Sequence, residues 1–478
     1  MKRKNLLLLL LLTLGALFIH GYHPWAEDAE IYIPGIEKLL HPELFPFNAQ
    51  FFEPHAHATL FRNLIALSVR ASHLHLETVL FIYQLAAIFL FLLACWELAS
   101  RCFDDSKARW AGVSLITALL TLPIAGTALY ILDQYTNPRN IVAFAAIFAI
   151  VRTFDRKYFQ AISFLIFTAV IHPLMSVFAF SFCFLLIVLK SRSSMFALLL
   201  PFGLTFAPPP QAYHYVAISH SYHYVTRWEW YEWLGAIAPF LIFWWFSRMA
   251  RARKMSNVDL LSRTMIVYEA IYLVGALVLD IPARFEALAR LQPMRCLYLL
   301  YIVMLLIGGG FLGQYVLKSR LWRWLVLFVP LCLGMFMAQS ELFPASAHIE
   351  WPGVAPKNPW TQAFLWIRNN TPNDAIFALN PSFMDFVGED EQGFRAIARR
   401  SRTADFVKDA GAVSMFPVLA DEWWSQVQAQ AHWREFQLQD FERLKVEYGV
   451  NWVVLQQPGL KGLNCPYQNP AVLVCQVN

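Results

Sequence analysis

Charge is scarce in this 478-residue chain. Asp, Glu, Lys and Arg together make up 15% of it, where a soluble domain carries about a quarter. The shortage is uneven: residues 5–340 are a series of apolar stretches with short polar breaks, and 341–478 read as an ordinary water-soluble chain. Cysteine is sparse too, at seven, too few for a disulfide framework. Cys95, Cys102, Cys183, Cys296 and Cys332 lie in or beside apolar runs and read as packing residues. Cys465 and Cys475 lie in NCPYQNPAVLVC, a turn followed by a strand, as either a hairpin disulfide or two free thiols. No long basic stripe accompanies the net charge of +5, which argues against a nucleic-acid partner. The only GxGxxG match, GGGFLG at 308–313, lies inside an expected apolar span and not in a loop opening a helix, and there is no GxxxxGK[ST] and no GxSxG, so phosphate-cradling loops and a hydrolase elbow are unsupported. No short internal repeat stands out, which argues against transporter folds built from halves.

What is abundant is apolar sequence: 58% of the chain is hydrophobic and 16% aromatic. Eleven spans are expected, near 5–21, 78–100, 110–130, 140–153, 158–172, 174–190, 195–208, 234–250, 260–280, 294–317 and 321–340, several shorter than the ~20 residues of a straight crossing. The expected fold class is a mainly α, multi-pass transmembrane bundle. Residues 1–340 form its membrane domain, with a long outer first loop at 22–77, and 341–478 form a small α/β domain. Lys and Arg cluster in alternate breaks, at Lys2–Lys4, Arg101–Arg109, Arg152–Lys157, Lys190–Arg192, Arg248–Lys254 and Lys318–Arg323. The positive-inside rule then puts the N-terminus in the cytoplasm and the C-terminal domain outside. Residues 1–20 read as an uncleaved first span, since ALFIHGYHP lacks a small-x-small cleavage site.

Three acids, Glu27, Asp28 and Glu30, fall within four positions directly after that first span. Further on, Leu60, Leu64, Leu67 and Ala71 recur at helical spacing. They mark an amphipathic helix that lies either along the membrane surface or under the C-terminal domain. In the C-terminal region WTQAFLWIRNN and EFQLQDFERLKVEYGV read as helices. AIFAL, NWVVLQQ and AVLVCQV read as strands of a three- or four-stranded sheet. Arg399, Arg400 and Arg402 read as a solvated basic patch.

One leading span, a long outer loop opening on acids, interfacial helices, many further spans and an outer C-terminal domain together resemble the GT-C glycosyltransferases. More narrowly, WIRNNTPNDAIFALNP and LQPMRCLYLL look like landmarks of a bacterial multi-pass group with this layout. The resemblance implies a protein of the bacterial cell membrane. It implies transfer of a sugar from a polyprenyl-phosphate carrier, beside membrane lipid, to a glycan, lipid or protein acceptor at the outer face. It gives Asp28, with Glu27 or Glu30 as substitutes, the role of activating the acceptor hydroxyl. A partly desolvated carboxylate with a raised pKa can take that proton, and neighbouring like charges help raise it. The other reading makes these acids a solvated helix start that complements the dipole. No cofactor is expected: the cluster reads EDAE, without the DxD that places a cation in metal-dependent members.

Arg295 and Arg139 are candidates to hold the donor phosphate, or else pair structurally or snorkel to headgroups. Arg284 and Arg290 precede Arg295. Asp133 is a candidate for the same cavity. In the aromatic loop 208–233, Trp228 and Trp230 offer faces for a sugar, and Glu229 and Glu232 share a helix face; an interfacial aromatic belt is the plainer reading. His55 and His57 are two apart near Glu53, without the spacing of a zinc motif, and read as donors to substrate or as interfacial residues. A non-catalytic scaffold or transporter in envelope glycan export is the second hypothesis. A transporter would bury charges mid-membrane, whereas nearly all charges here sit at span ends.

Overall fold

The computed structural model describes residues 3–191, 210–280, 288 and 290–477. The expected span at 195–208 and Arg284 lie outside them. In chain order the helices begin with α1 (Arg3–His20), α2 (Ala29–Leu40), α3 (Glu53–His57), α4 (Phe61–Ser72), α5 (Leu76–Cys102) and α6 (Ser106–Ala118). After the short strands β1 (Pro123–Ile124) and β2 (Leu129–Tyr130) come α7 (Pro138–Phe154), α8 (Tyr158–Ile171), α9 (Pro173–Ser191), α10 (Tyr213–Ser219), α11 (Trp230–Ala252), α12 (Ser256–Asp280), α13 (Leu297–Phe311) and α14 (Leu321–Leu342). The C-terminal region holds α15 (Pro359–Asn370), β3 (Ile376–Ala378), α16 (Phe394–Ala398), β4 (Ser401–Arg402), α17 (Lys408–Met415), α18 (Ala420–Ala429), α19 (Leu438–Tyr448), β5 (Trp452–Gln456), β6 (Asn464–Gln468) and β7 (Val472–Gln476).

The chain divides into two compact units. The first comprises Met1–Gly21, Ile82–Pro208 and Ser221–Ala338; the second comprises Tyr22–Phe81, Pro209–His220 and Gln339–Asn478. The long first loop is therefore grouped with the C-terminal residues.

Among the described residues, seven helical segments of the chain are long and apolar enough to cross a membrane: α1, α5, α9, α11, α12, Pro293–Leu317 and α14. Three other expected spans fall on the shorter helices α6, α7 and α8. The stretch 110–130 is not one helix. It stops at Ala118, and β1 and β2 then pair antiparallel. Pro123 cannot extend the helical hydrogen bonding, and Gly126 takes a left-handed φ of +64° in the turn.

Within the first unit, α6 packs on α13 through small residues. A side chain on Gly309 would place its Cβ 2.7 Å from the Gly112 Cα, and one on Gly313 would place it 2.6 Å from the Ala111 Cβ. Ala108 and Gly112 face Gly309 and Gly313 at the four-residue spacing that lets helices approach closely. His20, at the end of α1, is buried against α6: its Nε2 donates to the Thr117 carbonyl at 2.8 Å, and its Nδ1 meets the Thr121 hydroxyl at 2.8 Å.

The second unit is built on a five-stranded sheet of order β4-β3-β5-β7-β6, parallel across β4-β3-β5 and antiparallel from β5 to β6. Alternation along the strands sends Ala378, Val453, Leu455 and Cys475 to one face, where Phe441 and Leu444 of α19 cover them. Phe377 and Trp452 stack on the other face, where Phe377 meets Phe394 of α16, itself edge-on to Phe364 of α15. NCPYQ, expected as a turn, is the edge strand β6, and Cys465 is bonded to Cys475 across the β6–β7 ladder.

The apolar stripe expected on α4 is its outward face. Leu60 and Leu67 are exposed, and Phe61, Ile65 and Ala66 are the buried residues, on the side that packs against α2. The basic patch is also differently placed. Arg400 and Arg402 are buried and Arg399 pairs with the buried Glu37. Arg400 donates to the carbonyls of Arg368, Arg399 and Thr371 at 2.7–3.0 Å, which satisfies a guanidinium without solvent.

Candidate functional site

The three acids of the first loop separate by orientation. Glu27 takes a left-handed φ of 57°, and its amide donates to the Glu391 carbonyl at 2.9 Å. Asp28 is the residue before α2, yet its side chain makes no capping bond. Its carboxylate instead faces the ammonium of Lys408, the first residue of α17, at 3.4 Å. Lys408 also pairs with Glu27. The Glu27 and Asp28 side chains keep 34% and 32% of their surface open, against 12% for Lys408.

Electrostatics around Lys408 follow from that geometry. Burial alone would lower its pKa, but Glu27 and Asp28 outweigh burial and hold the ammonium charged. Burial raises the Glu27 carboxyl, while Lys408 and a hydrogen bond with Glu391 pull it back below its ordinary range. Two imidazoles are tuned by the same surroundings. His55 of α3 meets Phe416 edge-on at 5.1 Å. Burial lowers its pKa to about 4, with Asp28 acting against the shift. His220, beyond α10, has its Nδ1 near the Val216 carbonyl at 3.2 Å and the Ser219 hydroxyl at 2.9 Å. Burial lowers its pKa to about 4; the Val216 bond opposes this and the charge of Lys408 adds to it. Near neutral pH the cluster thus combines a half-open carboxylate pair, a fixed cation and two neutral imidazoles. Such a set can accept a proton from a hydroxyl and orient it. Lys408 and His220 were not candidates from sequence. No local pattern marks a lysine 380 positions from its carboxylate partner.

Glu30 is placed differently from the role the resemblance gave it. It is fully buried and accepts from the Arg402 Nε at 2.9 Å and the Ala396 amide at 3.2 Å, with Arg395 at 3.6 Å. Arg395 is also bidentate to Asp409 at 2.7 and 2.9 Å, and Arg402 pairs with Asp405. Burial raises the Glu30 carboxyl against the pull of both arginines. For Asp409 the same arginines outweigh burial and lower it. The Glu30 carboxylate therefore ties the first loop to the C-terminal residues and does not meet solvent.

The remaining candidates divide between the units. Arg139 and Asp133 are both in the first unit, buried and paired with each other at 2.5 Å. Asn137 donates to the same Asp133 oxygen at 2.6 Å, and Gln84 and Asn140 bond the Asp133 carbonyl. This knot fixes the turn into α7 and sets Arg139, expected to hold the donor phosphate, against the Asp133 carboxylate. Arg295 lies in the turn leading into α13 and lines a small cavity with Thr127, Tyr222, His223 and Gln292. Glu229 and Glu232 form the capping box of α11, with the Glu229 amide donating to Glu232 at 2.8 Å. Trp228 is buried over Gly126, and its indole donates to the Tyr222 carbonyl at 3.2 Å. Trp230 is 75% exposed. His57 accepts from Arg62 at 2.8 Å. Among the described residues no three His, Cys, Asp or Glu side chains are arranged for a metal ion.

No protein-family model and no curated protein matches the chain. Solved structures of an archaeal oligosaccharyltransferase do align with it. One is the archaeal oligosaccharyltransferase AglB from Archaeoglobus fulgidus in complex with an inhibitory peptide and a dolichol-phosphate. It has a TM-score of 0.46 at 12% identity, over 95% of this chain and 69% of that one. The apo form of the Archaeoglobus fulgidus oligosaccharyltransferase aligns with a TM-score of 0.39 at 12% identity, over 95% and 70%. A likeness at this level fixes neither activity nor substrate.

Proposed function

We propose that this protein is a membrane glycosyltransferase that moves a sugar from a polyprenyl-phosphate carrier to an envelope acceptor at the outer membrane face, with Asp28 as the base. The observation that carries the reading is the state of Asp28: a carboxylate one-third exposed, not spent on capping α2, and beside a cation. In the transfer the acceptor hydroxyl gives its proton to Asp28 as its oxygen bonds to the anomeric carbon. The bond from that carbon to the carrier phosphate breaks, and polyprenyl phosphate leaves. Lys408 holds the Asp28 carboxylate in place at 3.4 Å. The cytoplasmic N-terminus and outer C-terminal domain rest on the distribution of Lys and Arg.

One observation favours the second reading, a scaffold or transporter without transfer chemistry: Lys408 engages both Glu27 and Asp28, as a purely structural ion pair would. The two readings separate in nanodiscs loaded with labelled polyprenyl-phosphate sugars and envelope extract as acceptor. Label moving from the lipid to a new product, with release of polyprenyl phosphate, supports transfer. Intact donor after full incubation across the donor panel supports the scaffold.

A further inference from the structure

A second cleft in the C-terminal unit is chemically unlike the Lys408 cluster. Among the described residues its lining includes Tyr22, Trp25, Glu77, Glu350, Trp351 and Thr361, and no Lys, Arg or His. Backbone bonds fix its walls. The Tyr22 amide donates to the His348 carbonyl at 3.0 Å, and the Glu350 amide donates to the Tyr22 carbonyl at 2.9 Å. Trp351 keeps 44% of its surface exposed although its ring is braced edge-on by Phe81 at 5.4 Å, which in turn meets Tyr22 at 5.1 Å. Thr361 is 1% exposed, and its hydroxyl has no hydrogen-bond partner among the described residues. A buried hydroxyl left unpaired is unfavourable, and this one belongs to a residue that lines the cleft.

We infer that this cleft binds a neutral sugar ring, seated on Trp351 and hydrogen-bonded by Glu350, Glu77 and Thr361. A described lining with two carboxylates and no basic residue disfavours a phosphate or an anionic headgroup. Glu350 already faces His23 at 3.2 Å and Glu77 faces Arg368 at 3.9 Å, so the cleft does not call for a further cation. What remains is an aromatic surface for C–H groups beside acceptors and one donor for hydroxyls, as in small-molecule sites where few polar groups orient an apolar contact. The braced walls make binding cheap in lost freedom. The inference does not rest on transfer at Asp28, which lies outside this cleft.

The test is saturation-transfer NMR with calorimetry on the full chain in nanodiscs, avoiding alkyl-glycoside detergents that would compete. The probes are maltotetraose, chitotetraose and mannotriose, with sialyllactose and the chitosan tetramer as anionic and cationic comparisons. The expected result is saturable binding of at least one neutral probe. Trp351→Ala should weaken it roughly tenfold, the scale of a lost aromatic contact. Trp351→Phe should restore part of it, Thr361→Val should weaken it severalfold, and Asp28→Asn should leave it unchanged. The inference is overturned if no neutral probe binds, if only a charged probe binds, or if Trp351→Ala leaves neutral-sugar binding intact. Loss of transfer in Asp28→Asn with sugar binding retained would separate the two sites.

Discussion

Asp28 and Glu30 stand two residues apart, yet their carboxylates have opposite surroundings: one is partly open beside Lys408, the other sealed between Arg395 and Arg402. Removing one member of a buried ionic network strands its partners and costs about 3–5 kcal/mol, whereas a half-open pair is worth about 1 kcal/mol or less. Glu30→Gln should therefore lower the unfolding temperature of the purified protein sharply, and Asp28→Asn should barely move it. Equal effects in scanning calorimetry would contradict this division. His220 supplies a pH-dependent counterpart. Its pKa falls from an ordinary 6.5 to about 4 in the fold, so unfolding takes up a proton below pH 6.5. The stability it contributes is present above 6.5 and is lost as pH falls toward 4, with a limiting slope of about 1.4 kcal/mol per pH unit. His220→Gln should flatten the stability profile between pH 6.5 and 4, and parallel profiles for the variant and the parent would count against a neutral, buried imidazole.

Elements carry the legible and the illegible parts of the fold in different ways. The apolar helices, α15, α19, β5 and β7 follow local pattern, because burial is written into residues a few positions apart, whereas α4 forms as a helix but leaves Leu60 and Leu67 of its periodic stripe exposed. β6 was missed: NCPYQ carries the Pro and Asn of a turn and becomes a strand only through its pairing with β7. The arginines of ARRSR read as solvated because nothing nearby in sequence names Glu30 or Glu37, more than 360 positions away, as partners. Asp28 could be singled out from its neighbourhood, but Lys408 and His220 could not. The α6–α13 contact is an element-scale test. Gly309→Leu must fit a side chain where even a Cβ lies 2.7 Å from the Gly112 Cα, so the helices should separate and yield of folded protein should fall severalfold. Gly275→Leu, on a glycine with open space around it, is the control that should be tolerated.

For the whole molecule, transfer at the outer face needs the unit that holds Asp28 on the outer side of the membrane. Val446 is 87% exposed in the C-terminal unit, so Val446→Cys should react with a membrane-impermeant maleimide on spheroplasts, while Lys318→Cys should react only after lysis. The reverse pattern would put the unit in the cytoplasm and remove the outer-face assignment. The decisive measurement for Asp28 is the rate of sugar transfer from polyprenyl-phosphate donors by the full chain and by Asp28→Asn, side by side, with matched unfolding temperatures. The substitution should lower transfer by about a hundredfold or more, the scale of a lost general base, with folding intact. Transfer at the parental rate in Asp28→Asn would contradict it and leave Asp28 as half of a structural ion pair with Lys408.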